Sequence, residues 1–182
     1  MALIIVLIVV VLVALYFVAT YNKLVRLRNR SEESAAAIDA HLKKRYDLIP
    51  NLVETVKGYA SHETKTLTAV IEARNKAMQA TTLSEKNEAS NAFSATLKSL
   101  FALSESYPEL KANEGFLSLQ NQLQKIEEEL LQVRKYYNAI IGDINTMVET
   151  IPSSLVASLA KFKKLPYLVI EEEARENVKV KF

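Results

Sequence analysis

The feature that most constrains this chain is an unbroken apolar run at its N-terminus. Ala2 to Ala19 comprises 18 residues without a charged side chain. As a helix rising about 1.5 Å per residue, this run is about 27 Å long, close to the hydrocarbon thickness of a bilayer. We therefore predict a transmembrane anchor over residues 1–20. Its lipid-facing positions include Ala2, Leu7, Val11, Leu15, and the interfacial aromatic residues Tyr16 and Phe17.

A cleaved signal peptide is the main alternative for this run. Signal peptides begin with basic residues and end at a cleavage site of small residues. Here no basic side chain precedes the run, and Phe17 places a bulky ring where the site Phe17-Val18-Ala19 would need a small one. The chain has no cysteine, so a lipidated N-terminal cysteine is excluded. The pattern favours an uncleaved anchor.

Charge next to the run predicts an orientation. Four basic residues follow the run directly, and none precedes it: Lys23, Arg26, Arg28 and Arg30. The positive-inside rule then predicts a single-pass protein of the cell membrane, with its N-terminus outside and its larger part in the cytoplasm. These residues either only stop transfer or also bind anionic lipid, at about 1 kcal/mol each. Both interpretations stay open.

The remaining residues have the composition of long helices. The whole chain holds only three glycines and four prolines and no tryptophan. Apolar residues spaced alternately by three and four positions predict one long helix with an apolar stripe along one face. Pro152 ends or bends this helix, and extra apolar residues beside the stripe make it wider. The stripe consists of Phe116, Leu119, Leu123, Ile126, Leu130, Val133, Tyr137, Ile140, Ile144, Met147 and Ile151, widened by Leu131, Tyr136, Ile141 and Val148.

Two further helices are predicted before this one. The first leaves the membrane, passes Pro50 with a bend, and ends near Ala80, although a break before Pro50 is a possible alternative. The second is capped by Ser84, and Pro108 opens the helical turn after it. Their buried faces consist of Ile38, Leu42, Ile49, Leu52, Val56 and Tyr59 in the first helix, and of Ala89, Phe93, Leu97, Leu100 and Leu103 or Ser104 in the second.

The pattern as a whole predicts an all-α protein. A short amphipathic helix carrying Leu155, Leu159 and Phe162 follows Pro152, and an extended tail, partly solvated by Glu171 to Glu173, ends the chain. Short connections between long helices favour an antiparallel up-down bundle. We therefore predict three segments: an anchor over 1–20, a helical bundle over 21–164 and a tail over 165–182.

Residues able to carry chemistry are sparse. His41 and His62 are the only histidines, and without cysteine or a Glu-x-x-His pair neither a zinc site nor a di-metal site is expected. The three glycines are isolated, so no phosphate-binding loop is expected. The net charge of +2 does not favour nucleic acid. We expect no catalytic residue, metal, cofactor or small-molecule substrate, and solvated or structural roles for both histidines.

A polar cluster near Pro50 is the best candidate for an interaction surface. It contains Arg45, Asp47, Asn51, Glu54 and Lys57, and Arg45 also falls on the buried track of the first helix. Either Arg45 pairs with a carboxylate of a neighbouring helix, or the whole cluster is a docking patch for another membrane protein. A second feature, Asn138 and Asn145 one heptad apart, predicts hydrogen bonds between helices.

Several blocks of the sequence resemble the LemA family. The most specific is Asp47-Leu48-Ile49-Pro50-Asn51-Leu52-Val53, and the resemblance covers nearly the whole chain. Further matches are Tyr21 to Asn29, Ser61-His62-Glu63, Ala73-Arg74, Tyr107 to Asn113, and Tyr136-Tyr137-Asn138. Departures are few: Ser34 to Ala37 lacks a common tryptophan, Ile151-Pro152 replaces an aromatic-proline pair, and Lys161-Phe162 replaces a common Gly-Phe.

The resemblance implies a bacterial, membrane-anchored helical bundle without a defined activity. From it and from the missing catalytic residues we predict a non-enzymatic adaptor or scaffold for other membrane or envelope proteins. Two alternatives stay open. The wide apolar stripe could serve self-assembly into a structural homo-oligomer. The resemblance also implies a gene often encoded beside membrane metalloproteases or other envelope proteins, which suggests a regulator of such a protease.

Overall fold

A computed structural model of the protein describes residues 1–170. This part of the chain is helical and contains no strand, which confirms the all-α prediction. The helices, in chain order, are α1 Ala2–Tyr59, α2 Thr64–Gln79, α3 Leu83–Ser104, α4 Pro108–Lys111, α5 Glu114–Glu149 and α6 Ser153–Leu159. Residues 163–170 belong to no helix, and the predicted Glu171 to Glu173 lie outside the described residues.

The chain divides into two compact units. Unit 1 contains Met1–Ala36 and Lys135–Tyr167, and unit 2 contains Ala37–Arg134 and, within the described part of the chain, residues 168–170. The long helices α1 and α5 each contribute to both units. In unit 2, His41 contacts Glu129 and Arg45 contacts Glu127, so residue numbers fall along α5 as they rise along α1. The two helices are therefore antiparallel.

Helix α1 joins the apolar run to the bundle without interruption. It passes Pro50 as one helix of 58 residues, which confirms a continuous helix over a break at this residue. The predicted buried face is confirmed at five positions, whereas Tyr59 at the helix end is 40% exposed. The confirmed positions, each at most 4% exposed, are Ile38, Leu42, Ile49, Leu52 and Val56.

The prediction that this helix continues to Ala80 is wrong. It ends at Tyr59, just after Gly58, and a turn over residues 60–63 leads into α2. Glycine costs a helix about 1 kcal/mol relative to alanine, which favours an end here. The break allows Leu67 and Val70 to be buried on α2, at 6% and 0% exposure.

Helix α3 begins differently from the prediction. Thr82, not Ser84, is its N-cap: Thr82 Oγ1 accepts from the main-chain N–H of Glu85, and the Glu85 carboxylate accepts from the Thr82 N–H. This reciprocal pair is a capping box. The buried face includes Phe93, Leu97, Leu100 and Ser104 as predicted, but Asn87 and Ser90 are buried where Ala89 was expected.

Helix α5 confirms the long three-four pattern at its most buried positions, whereas four stripe residues are half-buried: Leu119, Val133, Tyr137 and Met147. Phe116, Leu123, Ile126, Leu130, Ile140 and Ile144 are buried, whereas Ile151 lies beyond the helix and is 84% exposed. The buried face is also not wholly apolar, because Arg134 and Asn145 are 5% and 3% exposed. In unit 1, Leu27 of α1 packs in one cluster with Ile140, Ile141 and Ile144.

The short helix after Pro152 is confirmed as α6, but its large apolar residues do not form the buried face. Leu155 and Leu159 are 65% and 73% exposed, and the buried residues are Ser153, Val156 and Ala157. The helix ends in a Schellman motif: Phe162 N–H donates to Ala157 O at 2.9 Å, and Lys161 N–H donates to Ser158 O at 3.1 Å. Small residues therefore face the protein, and the large apolar residues do not.

Candidate membrane and partner surfaces

The predicted anchor is the exposed part of α1. Every residue from Ala2 to Ala19 is exposed, including the lipid-facing positions Ala2, Leu7, Val11, Leu15, Tyr16 and Phe17. Among residues 1–170, α1 is the one helix that is long and apolar enough to cross a membrane. So many exposed apolar side chains are unfavourable in water and suit lipid.

The basic residues after the run are also on the surface. Lys23, Arg26, Arg28 and Arg30 are all exposed. The guanidinium of Arg28 lies over the ring of Phe162, 5.6 Å from its centroid, which is a cation–π arrangement. This contact gives Arg28 a role within unit 1 in addition to any role at the lipid surface.

Arg45 is buried in unit 2 and pairs with a neighbouring helix. It is 3% exposed, and its Nη2 atom lies 2.9 Å from Oε2 of Glu127 on α5. On α3, its Nη1 and Nη2 atoms donate to Ser90 Oγ and Ser94 Oγ at 3.1 and 2.9 Å. Burial lowers the pKa of the Arg45 guanidinium and the charge of Glu127 opposes this, but arginine remains charged in proteins. These contacts therefore match the first interpretation, in which Arg45 pairs with a carboxylate of a neighbouring helix.

A second buried arginine, which sequence reasoning missed, joins the same network. Arg134 Nη2 donates to Ser90 Oγ at 2.9 Å, so this hydroxyl accepts from both Arg45 and Arg134. Tyr46 packs its ring edge-on against Phe93 beside them, and burial raises the pKa of its hydroxyl. The available signal was spacing: Arg134 lies four residues after Leu130, and Ser90 three before Phe93, on the buried stripes.

This network connects three helices. It links α1, α3 and α5 through buried charged and polar side chains, and these hydrogen bonds favour one register of the three helices. It contains one carboxylate and no histidine, cysteine or aspartate among its named members. Over the described residues, no three of the side chains His, Cys, Asp and Glu come together in a way that could hold a metal ion.

The other four residues of the predicted patch remain on the surface. Asp47, Asn51, Glu54 and Lys57 are exposed, and we refer to these four as the outer patch. Within it, Glu54 Oε1 lies 3.7 Å from Lys57 Nζ. Asp47 Oδ2 lies 3.3 Å from Nζ of Lys43, which precedes the patch on α1. Arg45 is on the opposite, buried side of α1, so the structure does not bring it together with the outer patch.

The remaining polar candidates have local partners. The Asn145 side chain makes two hydrogen bonds to the main chain of Leu165. Its Nδ2 atom donates to the carbonyl oxygen at 2.9 Å, and its Oδ1 atom accepts from the N–H at 2.8 Å. Asn145 thus holds the tail in unit 1 rather than a second helix, and Asn138 is half-buried. His41 Nδ1 lies 3.3 Å from Glu129 Oε2, and His62 is exposed in the turn after α1.

Comparison with known proteins agrees with the resemblance seen in the sequence. A sequence model of the LemA family matches residues 34–182, which excludes the anchor and includes all of unit 2. Protein LemA of Metamycoplasma hominis is 25% identical over 145 residues, which are 78% of this chain and 65% of that protein. The chain thus spans about two thirds of the length of this relative. Because the family match covers most of its length, the chain belongs to the LemA family.

Proposed function

We propose that this LemA protein is a membrane-anchored, non-enzymatic adaptor whose helical part binds other membrane or envelope proteins. The observation that carries this proposal is the continuity of α1. The apolar run and the outer patch belong to one helix, and residues 19–47 contain no loop. A continuous helix therefore joins the apolar run to the outer patch without a flexible linker.

The outer patch supplies the chemistry of the proposed surface. Its side chains carry two carboxylates, one amide and one ammonium group, and all four are exposed next to the exposed Pro50. Their charge pairs on α1 are solvated, so a partner can replace them at little cost. We therefore expect a partner with a mixed, polar surface rather than an apolar one. The bundle is proposed to lie on the cytoplasmic side, as the positive-inside rule predicts.

Photo-crosslinking in intact cells tests this proposal. A photoreactive amino acid is placed singly at Asp47, Asn51 or Glu54, and the matched control carries it at Gln132, an exposed position of α5. We expect adducts with other membrane proteins from the outer patch and not from Gln132. The absence of adducts at all three positions, or equal adducts at Gln132, would contradict the proposal.

Self-assembly is the alternative that the same experiment addresses. The widened stripe of α5 was its basis. Of the widening residues, Ile141 is fully buried within unit 1, Leu131 and Val148 are half-buried, and Tyr136 is 55% exposed. Adducts formed solely with a second copy would replace the adaptor proposal with this one. The third prediction, regulation of a membrane protease, depends on the family resemblance, and unchanged proteolysis after deletion of the protein would remove it.

A further inference from the structure

Helix α6 presents an apolar surface that the protein does not cover. Leu155 and Leu159 lie one helical turn apart and are 65% and 73% exposed, and Ile151 in the preceding turn is 84% exposed. We refer to these three residues as the apolar ridge. Its opposite side is well packed, since Val156 and Ala157 are 3% and 0% exposed. Three large apolar side chains exposed close together indicate a contact surface.

The position of the ridge along α1 follows from the packing of unit 1. Leu27 of α1 shares one cluster with Ile140, Ile141 and Ile144 of α5, and the two helices are antiparallel. Thr20 precedes Leu27 on α1, and Ile151 follows Ile144 just beyond the end of α5, so the antiparallel course brings Ile151 towards the Thr20 end of unit 1. Thr20 is also the first residue after the apolar run and is only 6% exposed. Protein therefore covers α1 up to the end of the run, and the ridge begins there.

The charge around the ridge fits a lipid surface. Thr150 to Lys164 contains no acidic residue, and three lysines follow α6: Lys161, Lys163 and Lys164. Only Lys164 is engaged by a carboxylate of unit 1 among the described contacts, that of Glu149 at 2.5 Å. An apolar face bordered by lysines is typical of a segment that lies in the interface of an anionic bilayer.

We propose that α6 lies at the membrane surface and inserts the apolar ridge into the leaflet from which α1 emerges. The proposal depends on α1 spanning the bilayer, and it adds a second membrane contact to the same unit. Phe162 contacts Arg28, eight residues beyond Thr20, which corresponds to about 12 Å along α1. The chain thus rises away from the bilayer along α6, so Ile151 is inserted most deeply and Leu159 least.

Site-directed spin labelling of the full-length protein tests this arrangement. The chain has no cysteine, so single cysteines can be introduced at Ile151, Leu155 and Leu159 without background. These positions are exposed, and the labels should not disturb folding, which circular dichroism checks. The protein is placed in nanodiscs of a zwitterionic phospholipid with a minority of an anionic one. A label at Leu7 reports on the anchor, and a label at Gln132 reports on a water-exposed surface.

Accessibility to oxygen and to a water-soluble nickel complex distinguishes the outcomes. We expect an oxygen-to-nickel ratio at Ile151 and Leu155 several-fold above that at Gln132, with a smaller increase at Leu159. A lipid-like Leu7 together with ridge labels as water-accessible as Gln132 would overturn this inference and leave the anchor intact. Ridge labels shielded from both reagents would indicate a protein partner and would also overturn it. A water-accessible Leu7 would overturn the anchor and the inference together.

Discussion

Arg74 supplies the hydrogen bond that Pro50 cannot make. Proline has no main-chain N–H, so within α1 the carbonyl oxygen of Tyr46, four residues before Pro50, loses its helical donor. Arg74 of α2 donates from Nε to this oxygen at 2.8 Å. The turn after Tyr59 is what brings α2 back alongside α1. The break after Tyr59, which the sequence pattern did not predict, thus allows α2 to compensate for the missing N–H of Pro50.

We expect Arg74→Ala to destabilise the protein by about 1–2 kcal/mol, because it leaves the Tyr46 carbonyl without a donor. In a Pro50→Ala background the helix regains its own N–H donor, so the same change should cost markedly less. The measurement is chemical denaturation in detergent micelles, followed by helical circular dichroism. Lys76→Ala, at an exposed position of α2, is the control. Equal costs of Arg74→Ala in both backgrounds would contradict the compensation.

Ser90 is expected to be sensitive because two buried arginines share its hydroxyl. Ser90→Ala removes an acceptor from Arg45 and from Arg134 in a fully buried position, and we expect a loss of about 1–3 kcal/mol. The matched control is Ser99→Ala on the same helix, where the hydroxyl is exposed and donates to Ala95 O of its own helix. Denaturation midpoints for the two variants should differ clearly, and a Ser90→Ala midpoint equal to that of the control would exclude a stabilising role.

Lys161→Gly should stabilise the protein. Lys161 has φ of 59°, in the left-handed region, where a side chain costs about 1–2 kcal/mol and glycine does not. Glycine also increases the entropy of the unfolded chain, which offsets about 0.4–1 kcal/mol of this gain. We expect a net gain of about 0.5–1 kcal/mol, measured by thermal unfolding. Lys163→Gly, just outside the motif, should give no gain, and a gain there of equal size would argue against the backbone explanation.

The capping box of α3 predicts a dependence on pH. Main-chain N–H groups of Thr82 and Thr81 donate to the Glu85 carboxylate and lower its pKa below the ordinary value. A lowered pKa in the folded state means that this stabilisation is present above the pKa of the unfolded chain. It is lost as the pH falls through the lower folded value.

Glu85→Gln should therefore flatten the acid side of the stability profile, and NMR titration should show the lowered pKa directly. Thr82→Ala should cost about 1 kcal/mol at neutral pH. Thr68→Ala, at an exposed position in the interior of α2, is the control and should leave the start of α3 intact. An acid limb unchanged by Glu85→Gln would show that other carboxylates produce it.

Periodicity accounts for the helices that were predicted correctly. Each of these features extends over several helical turns, so one misplaced residue does not change the pattern. They are the apolar run, the face from Ile38 to Val56 and the long stripe of α5. The errors lie where the pattern is short. The end of α1, the cap at Thr82 and the face of α6 each depend on two or three residues, and hydrogen bonds or neighbouring side chains decide among alternatives there.

The sequence by itself determined the family, the all-helical class and the apolar run, and it favoured a continuous helix through Pro50 without excluding a break. Only the tertiary structure decided that Arg45 and Arg134 share Ser90, that Arg74 serves Pro50, and that Leu155 and Leu159 face outward. The physical reason is the range of the interactions involved. Helix formation and apolar periodicity depend on residues three or four apart, whereas a buried arginine is satisfied by residues more than 40 positions away that only packing brings close.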